Sequence, residues 1–462
     1  MRRGPLLRLG ESLFPDAPPA RMTLGRGEST VVVVALLALA TILQLARLGW
    51  SASLNSLWAE DGPIYLQEAL HQDFWHAIVH TYATYLVLVP RLIAEAASLA
   101  PLQDTAAAVS ILSAAVVSLS GLVVWHASAA HVRNLYLRGT LAALAVLVPV
   151  AGLESLDSAA YVPWYMLFAT FWILLWRPRT MRGAALAALF VLATGLSTPG
   201  VWFFLPLAAL RAAAARDRRD LAILAGFAIG AAVQAPVLAL NNEQAVAPLW
   251  TSDIWTVYVQ RVVDGAPLGL RLGGIGWEHL GWPLPIALVL AGVAGLAIGA
   301  KRSTPAARYI AAIAIPTSLA MFVVSVYQRA VGTQMLWPEG IYNGTGSRYA
   351  IVPALLVVSA AVVLVDGALR RQEAPRRISP LGAATVALLL IALVTSFYAR
   401  EISVRGVPPW DDALKAAADT CASEHPEDAS VPTSPSGFGI QVPCDQVLDA
   451  YPPTRAQHGR GP

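Results

Sequence analysis

In the stretch NSLWAEDGPIYLQEAL, residues 55–70, two carboxylates stand side by side, Glu60 and Asp61, with Gly62-Pro63 directly behind them. A positioned carboxylate can take a proton from a hydroxyl as a general base, or ligate a divalent cation through oxygen. Adjacent residues do not share a helix face, so one of the two points into any given site. Local chemistry offers a plainer role as well, with Asp61 or Gly62 capping a helix that opens at Pro63. Cations suited to a phosphate stand at Arg91 and at Arg348, the latter within NGTGSRYAIVP, because guanidinium forks match phosphate oxygens. The plainer alternatives are an Arg91–Glu95 pair one turn apart or a snorkelling Arg91. For Arg348-Tyr349 the alternative is an anchor at a membrane interface.

The elements that must position these groups are apolar. The 462-residue chain is 56% hydrophobic and 13% charged, against about 25% charged in soluble domains. Its apolar runs of roughly 15–20 residues have the length a helix needs to cross a bilayer. The fold class is therefore an all-α polytopic membrane protein. Basic clusters at Arg2–Arg26, Arg133/Arg138, Arg177–Arg182, Arg211–Arg219, Lys301–Arg308 and Arg370–Arg377 punctuate the chain, and short basic loops stay on the cytoplasmic side. Holding them inside threads the chain through crossings at 31–49, 105–127, 139–152, 163–177, 183–195, 199–211, 221–240, 282–300, 305–327, 348–366 and 381–398. That is about eleven transmembrane helices, N-terminus in and C-terminus out.

Residues 1–29 are then a cytoplasmic segment, 30–398 the transmembrane domain and 399–462 an outer tail. The run 31–46 is expected to be retained, since no small-residue cleavage site follows it. Segment 84–100 carries Pro90, Arg91 and Glu95, and a charge at a bilayer centre costs about 2.5–3.5 kcal/mol. It is expected to be an interfacial or re-entrant helix of the first outer loop, 50–104. Both cysteines, Cys421 and Cys444, lie in the tail. There they are expected to form a disulfide in an oxidising compartment, stapling a small appendage that is too short for a robust core of its own. On the cytoplasmic side they would be free thiols.

Other signals narrow the function. Basic residues spread over short loops exclude nucleic acid. The absence of an obvious internal repeat weighs against an inverted-repeat transporter. Carboxylates, a few cations and many aromatics gather in the outer loops, Glu154, Asp157, Tyr161 and Trp164 among them, which suits a flat, polar ligand such as a sugar. His76 and His80 with Asp73 give a weak metal pattern, and an interfacial amphipathic helix explains them more simply. Trp58, Trp164, Trp277 and Trp337 read as interfacial belt residues or as sugar-stacking platforms.

The acidic pair just past the first apolar run resembles the corresponding loop of the GT-C superfamily of polytopic glycosyltransferases. The chain is similar in particular to actinobacterial integral membrane proteins that carry an EDG element followed by YLxLxPRLIAE. Here these are Glu60-Asp61-Gly62 and Tyr85-Leu86 through Pro90-Arg91 to Glu95. The resemblance implies interfacial helices in the first outer loop and transfer of a sugar from a polyprenyl-phosphate donor. The acceptor would be a hydroxyl on an envelope glycan or lipid, on the extracytoplasmic face of the plasma (inner) membrane. Asp61, or else Glu60, is the expected base. Arg348 and Arg91 would hold the phosphate, while Tyr349, Tyr85 and Trp58 would line the substrate. No metal ligand set is assigned; a divalent cation on the carboxylates is the one cofactor considered. The rival functions are a transporter or flippase of lipid-linked sugars and a non-catalytic envelope-assembly protein.

Overall fold

Leu-, Ala- and Val-rich runs propagate as helix once tertiary packing can bury a face. In the computed structural model, which describes residues 5–16, 26–240, 250–329, 335–336, 346–371, 380–398 and 407–452, they do so. Among the described residues, six helices are long and apolar enough to cross a membrane: Gly27–Ala46, Leu102–Ala130, Arg218–Leu240, Pro283–Arg302, Pro305–Arg329 and Arg348–Arg370. Five shorter apolar helices accompany them, Leu135–Val146, Ala159–Leu175, Met181–Gly195, Pro199–Ala213 and Ala383–Thr395. The chain is thus a mostly helical protein built for a lipid bilayer, with a few short strands. At about 1.5 Å per residue the short helices reach only some 18–26 Å.

Glycines set the closest helix approach. Within GFAIG, Gly226 and Gly230 lie one turn apart and face the Met181–Gly195 helix. A Cβ on Gly226 would stand 2.4 Å from the Ala188 carbonyl oxygen, and one on Gly230 would stand 2.9 Å from Gly195 Cα. Small residues at this spacing let membrane helices touch backbone to backbone. Gly226→Val is expected to lower stability in detergent by about 1–3 kcal/mol. Gly292→Ala, where nothing lies within 4 Å, is expected to leave the melting temperature unchanged or slightly raised.

Among the described residues, Arg211 and Arg370 meet near Leu175, at the C-terminal end of the helix Val162–Leu175, Arg211 through the Leu174 carbonyl and Arg370 through His131, which contacts the Leu175 carbonyl. Asp220, fully buried, accepts from Arg177 Nε at 2.9 Å and from Arg211 Nη2 at 2.9 Å. Arg177 Nη1 also donates to the Phe14 carbonyl at 2.7 Å, which ties the N-terminal helix Pro5–Leu13 to this end. Asp366 pairs with Arg370 at 3.0 Å and accepts the Asn134 amide at 2.7 Å. The Val162–Leu175 helix runs about 21 Å from this basic end to the acidic end, where Tyr161 lies.

Segment 84–100 contributes none of the six long apolar helices. It forms a helix of 11 residues, Leu88–Ser98, preceded by the two-stranded hairpin Thr81–Tyr82/Tyr85–Leu86 and the short helices Gln67–His71 and Phe74–Val79.

The tail corrects one expectation. Its helix Trp410–Glu424, hairpin Asp428–Thr433/Phe438–Pro443 and helix Cys444–Ala450 are joined by the Cys421–Cys444 disulfide, but they do not hang free as an appendage. Trp410 is 2% exposed. Its amide donates to the Asn55 carbonyl at 2.8 Å and its indole to the Leu102 carbonyl at 2.9 Å. The Gln441 amide donates to Gln67 Oε1 at 2.9 Å, and His71 Nε2 meets Asp428 at 3.0 Å. The tail thereby becomes part of the loop it was expected merely to follow.

The His71–Asp428 contact carries a pH dependence. Burial opposes the imidazolium, but the Asp428 hydrogen bond and the Gln67 carbonyl outweigh it and raise the His71 pKa above its ordinary value. Its contribution to docking is therefore complete below about pH 6.5 and is lost as pH rises through the raised value. Limited proteolysis of the tail is expected to accelerate across that window in wild type relative to His71→Gln at each pH. Parallel profiles for the two proteins would remove His71 from the docking energetics.

Candidate functional site

The carboxylates sit on a strained turn. Ala59–Asp61 make one tight 3-10 turn, and Gly62–Leu66 follow as a widened π turn, a feature frequent at functional sites. Ala59 has φ 38°, a left-handed conformation that a residue with a Cβ adopts only when its surroundings over-determine it.

Asp61 points inward. It is 1% exposed and accepts the amides of Ala159 at 3.2 Å and Ala160 at 2.9 Å. It therefore does not cap a helix at Pro63 but ties its turn to the one leading into the Val162–Leu175 helix. Burial pushes its carboxyl up to about 7, against the pull of those amides.

Glu60 points the other way and is half-buried. It accepts the phenol of Tyr82 at 3.3 Å and that of Tyr161 at 3.0 Å. Burial, and after it the Glu60 charge, hold the Tyr82 phenol above its ordinary pKa, so it remains a donor. Tyr161 in turn accepts from Arg348 Nη1 at 3.1 Å. One phenol therefore links the carboxylate to a guanidinium.

Arg348 is fixed on several sides. Its Nη1 pairs with Glu154 Oε2 at 2.8 Å, and its amide donates to Glu154 Oε1 at 3.1 Å. Ser347 Oγ donates to the same oxygen at 3.3 Å. The guanidinium lies 5.0 Å from the Tyr161 ring centre and 4.7 Å from that of Tyr349, in cation–π range. Trp164 meets Tyr349 edge to face at 5.5 Å. Tyr85 carries Arg329 over its ring at 5.8 Å and lies within electrostatic reach of Arg348, Tyr349 and Glu60. Glu60, Arg348, Tyr349 and Tyr85 thus belong to one cluster, with Asp61 anchoring it from beneath.

Arg91 and Trp58 lie outside that cluster. Arg91 is 1% exposed and pairs with Glu68, not with Glu95. It stands 5.6 Å from the Tyr65 ring, which meets Tyr82 edge to face at 6.0 Å, so it sits one aromatic layer behind Glu60. Two of its nitrogens, Nε and Nη2, have no hydrogen-bond partner. Glu68 also takes His80 Nδ1 at 3.0 Å. Trp58, 7% exposed, is bridged to Ser434 of the tail and offers little open ring to a sugar. Trp337 falls outside the described residues.

A cleft of about 370 Å³ runs along Leu48–Ser56 and Val407–Pro409. No charged residue lines it, so it is distinct from the carboxylate cluster. Among the described residues no group of three or more His, Cys, Asp or Glu side chains converges as a metal site. A divalent cation would find Glu60 half-buried between the Tyr82 and Tyr161 phenols and Asp61 turned away.

The residues that sequence reasoning left without a role are Glu154, Tyr161 and Tyr82. The first two lie in GLESLDSAAYVPW, a polar turn between apolar runs, and that contrast was the available signal. No family model matches the chain, and no curated protein matches it.

Proposed function

We propose that the chain is an inverting membrane glycosyltransferase of the GT-C type, moving a sugar from a polyprenyl-phosphate donor to an acceptor hydroxyl. The observation that carries this reading is the Glu60–Tyr161–Arg348 relay. A half-buried carboxylate and a cation suited to phosphate stand two hydrogen bonds apart, at 3.0 and 3.1 Å, among Tyr82, Tyr85 and Tyr349. Glu60 takes the proton of the acceptor hydroxyl as its oxygen attacks the anomeric carbon. The bond from that carbon to the phosphate oxygen breaks, and Arg348 stabilises the charge on the departing polyprenyl phosphate. Geometry favours Glu60 over Asp61 as the base, because Glu60 is half-buried among phenols whereas Asp61 is 1% exposed and held by two backbone amides. Asp61 holds the turn instead.

This reading takes all eleven apolar helices as crossings and sets the acidic end on the extracytoplasmic face of the plasma membrane. The basic end, with Asp220 and Asp366, faces the cytoplasm, as short basic loops do. The acceptor is an envelope glycan or lipid. The test is to incubate purified protein with synthetic polyprenyl-phosphate sugars and candidate acceptors and to follow loss of donor. Consumption that needs Glu60 supports the reading. Intact donor, together with movement of labelled donor across vesicles, supports a flippase instead.

A further inference from the structure

The turn that aims Glu60 is shaped by residues from the far end of the chain. The Ser434 amide donates to the Leu57 carbonyl at 2.9 Å, and the Ala59 amide donates to the Ser434 carbonyl. These two bonds grip the backbone on both sides of Trp58, directly before the left-handed Ala59. On the other side of the carboxylates, Gly62 packs against Thr433, whose Cγ2 would stand 2.8 Å from a Cβ at that position. Gly62 itself has φ −79° and ψ −77°, which any residue adopts, so glycine is needed there for room and not for backbone freedom. Thr433 is 2% exposed and its hydroxyl makes no hydrogen bond; its role at this contact is its shape. The unit that presents Thr433 and Ser434 is held by Cys421–Cys444 and by the Trp410 bonds to Asn55 and Leu102.

We propose that the C-terminal unit, residues 407–450, is a positioning part of the carboxylate site, with Thr433 and Ser434 setting the turn that aims Glu60 between Tyr82 and Tyr161. The disulfide that closes this unit is then a requirement of site geometry as well as of tail stability. Only the consequence for transfer rests on the glycosyltransferase reading; the consequence for the turn does not.

Hydrogen exchange on the full-length protein in nanodiscs tests it. Peptides covering 55–66 report the turn, and peptides covering 162–175 serve as reference. Gly62→Ala is expected to raise exchange at 57–62 roughly tenfold or more through the clash with Thr433. Thr433→Ala added to it is expected to return the rate to within about threefold. Thr433→Ala alone removes no hydrogen bond but takes away the shape that packs over Gly62, and is expected to raise exchange at 57–62 by less than Gly62→Ala does. Cys421→Ser/Cys444→Ser is expected to raise exchange at 57–62 without raising it at 162–175. In the transfer assay, Gly62→Ala should lower kcat more than it raises KM for the donor, and the double variant should recover kcat. A double variant that exchanges as fast as Gly62→Ala overturns the proposal, as does native exchange at 57–62 without the disulfide. If wild type transfers no sugar, the exchange results still decide this proposal while the functional reading fails.

Discussion

Glu60→Gln is expected to lower sugar transfer by about 10²–10⁴-fold, the usual contribution of a positioned general base, with donor binding little changed. Glutamine is nearly isosteric, and its single carbonyl oxygen can still accept a phenol from Tyr82 or Tyr161. The protein therefore remains folded, and the loss reads on chemistry. Asp61→Asn is the matched comparison. One of the two amides at Ala159 and Ala160 loses its partner, at about 1 kcal/mol, and transfer is expected to stay within about tenfold of wild type. The two variants also separate on pH. With its carboxyl at about 7 when folded, Asp61 favours the folded state fully below pH 4, and that contribution is lost as pH rises through 7. The melting temperature of wild type should fall across this range relative to Asp61→Asn. A reversed ranking of activities, with Asp61→Asn the more damaged, would move the base to Asp61. Full activity in the double carboxamide variant would sink the mechanism.

The helices were legible because apolar runs and basic loops are local signals. Pro90, Arg91 and Glu95 argued against a crossing at 84–100, and the helix there is short, Leu88–Ser98. Side-chain direction at the acidic pair was half legible. Adjacency told that Glu60 and Asp61 diverge, but not which of them turns to the backbone of residues 159–160. Pairing between loops was not legible at all. Arg91 chose Glu68 across 23 residues over Glu95 one turn away, and Arg348 chose Glu154 across 194. Neither choice follows from any period, since both depend on how the loops stack at the end of the bundle. The tail was misjudged for a related reason. Its composition spoke of a short core in need of a staple, whereas its contacts with Asn55, Gln67, His71 and Leu102 arise only after the chain has folded back.

Arg348→Ala poses the sharper question, because Arg348 answers to Glu154 as well as to any phosphate. Glu154 is 6% exposed, and deleting the guanidinium leaves its carboxylate, among the described residues, with the Arg348-position amide and the Ser347 hydroxyl as donors. Stripping one partner from a buried pair costs about 3–5 kcal/mol. Arg348 is itself 23% exposed, which sets the expectation at the lower end, about 3 kcal/mol. A loss of activity in this variant alone would therefore say little. Arg348→Ala/Glu154→Gln resolves it, since a neutral side chain there can keep the amide and hydroxyl bonds and most of the stability should return. Transfer should not return with it. A cation facing a departing phosphate contributes about 10²–10³ in rate, and the double variant still lacks that cation. Recovery of stability with transfer still depressed, measured by chemical denaturation and donor consumption on the same preparation, assigns Arg348 to the leaving group. Recovery of both makes it a structural partner of Glu154 and leaves the phosphate to another cation, such as Arg329 above Tyr85.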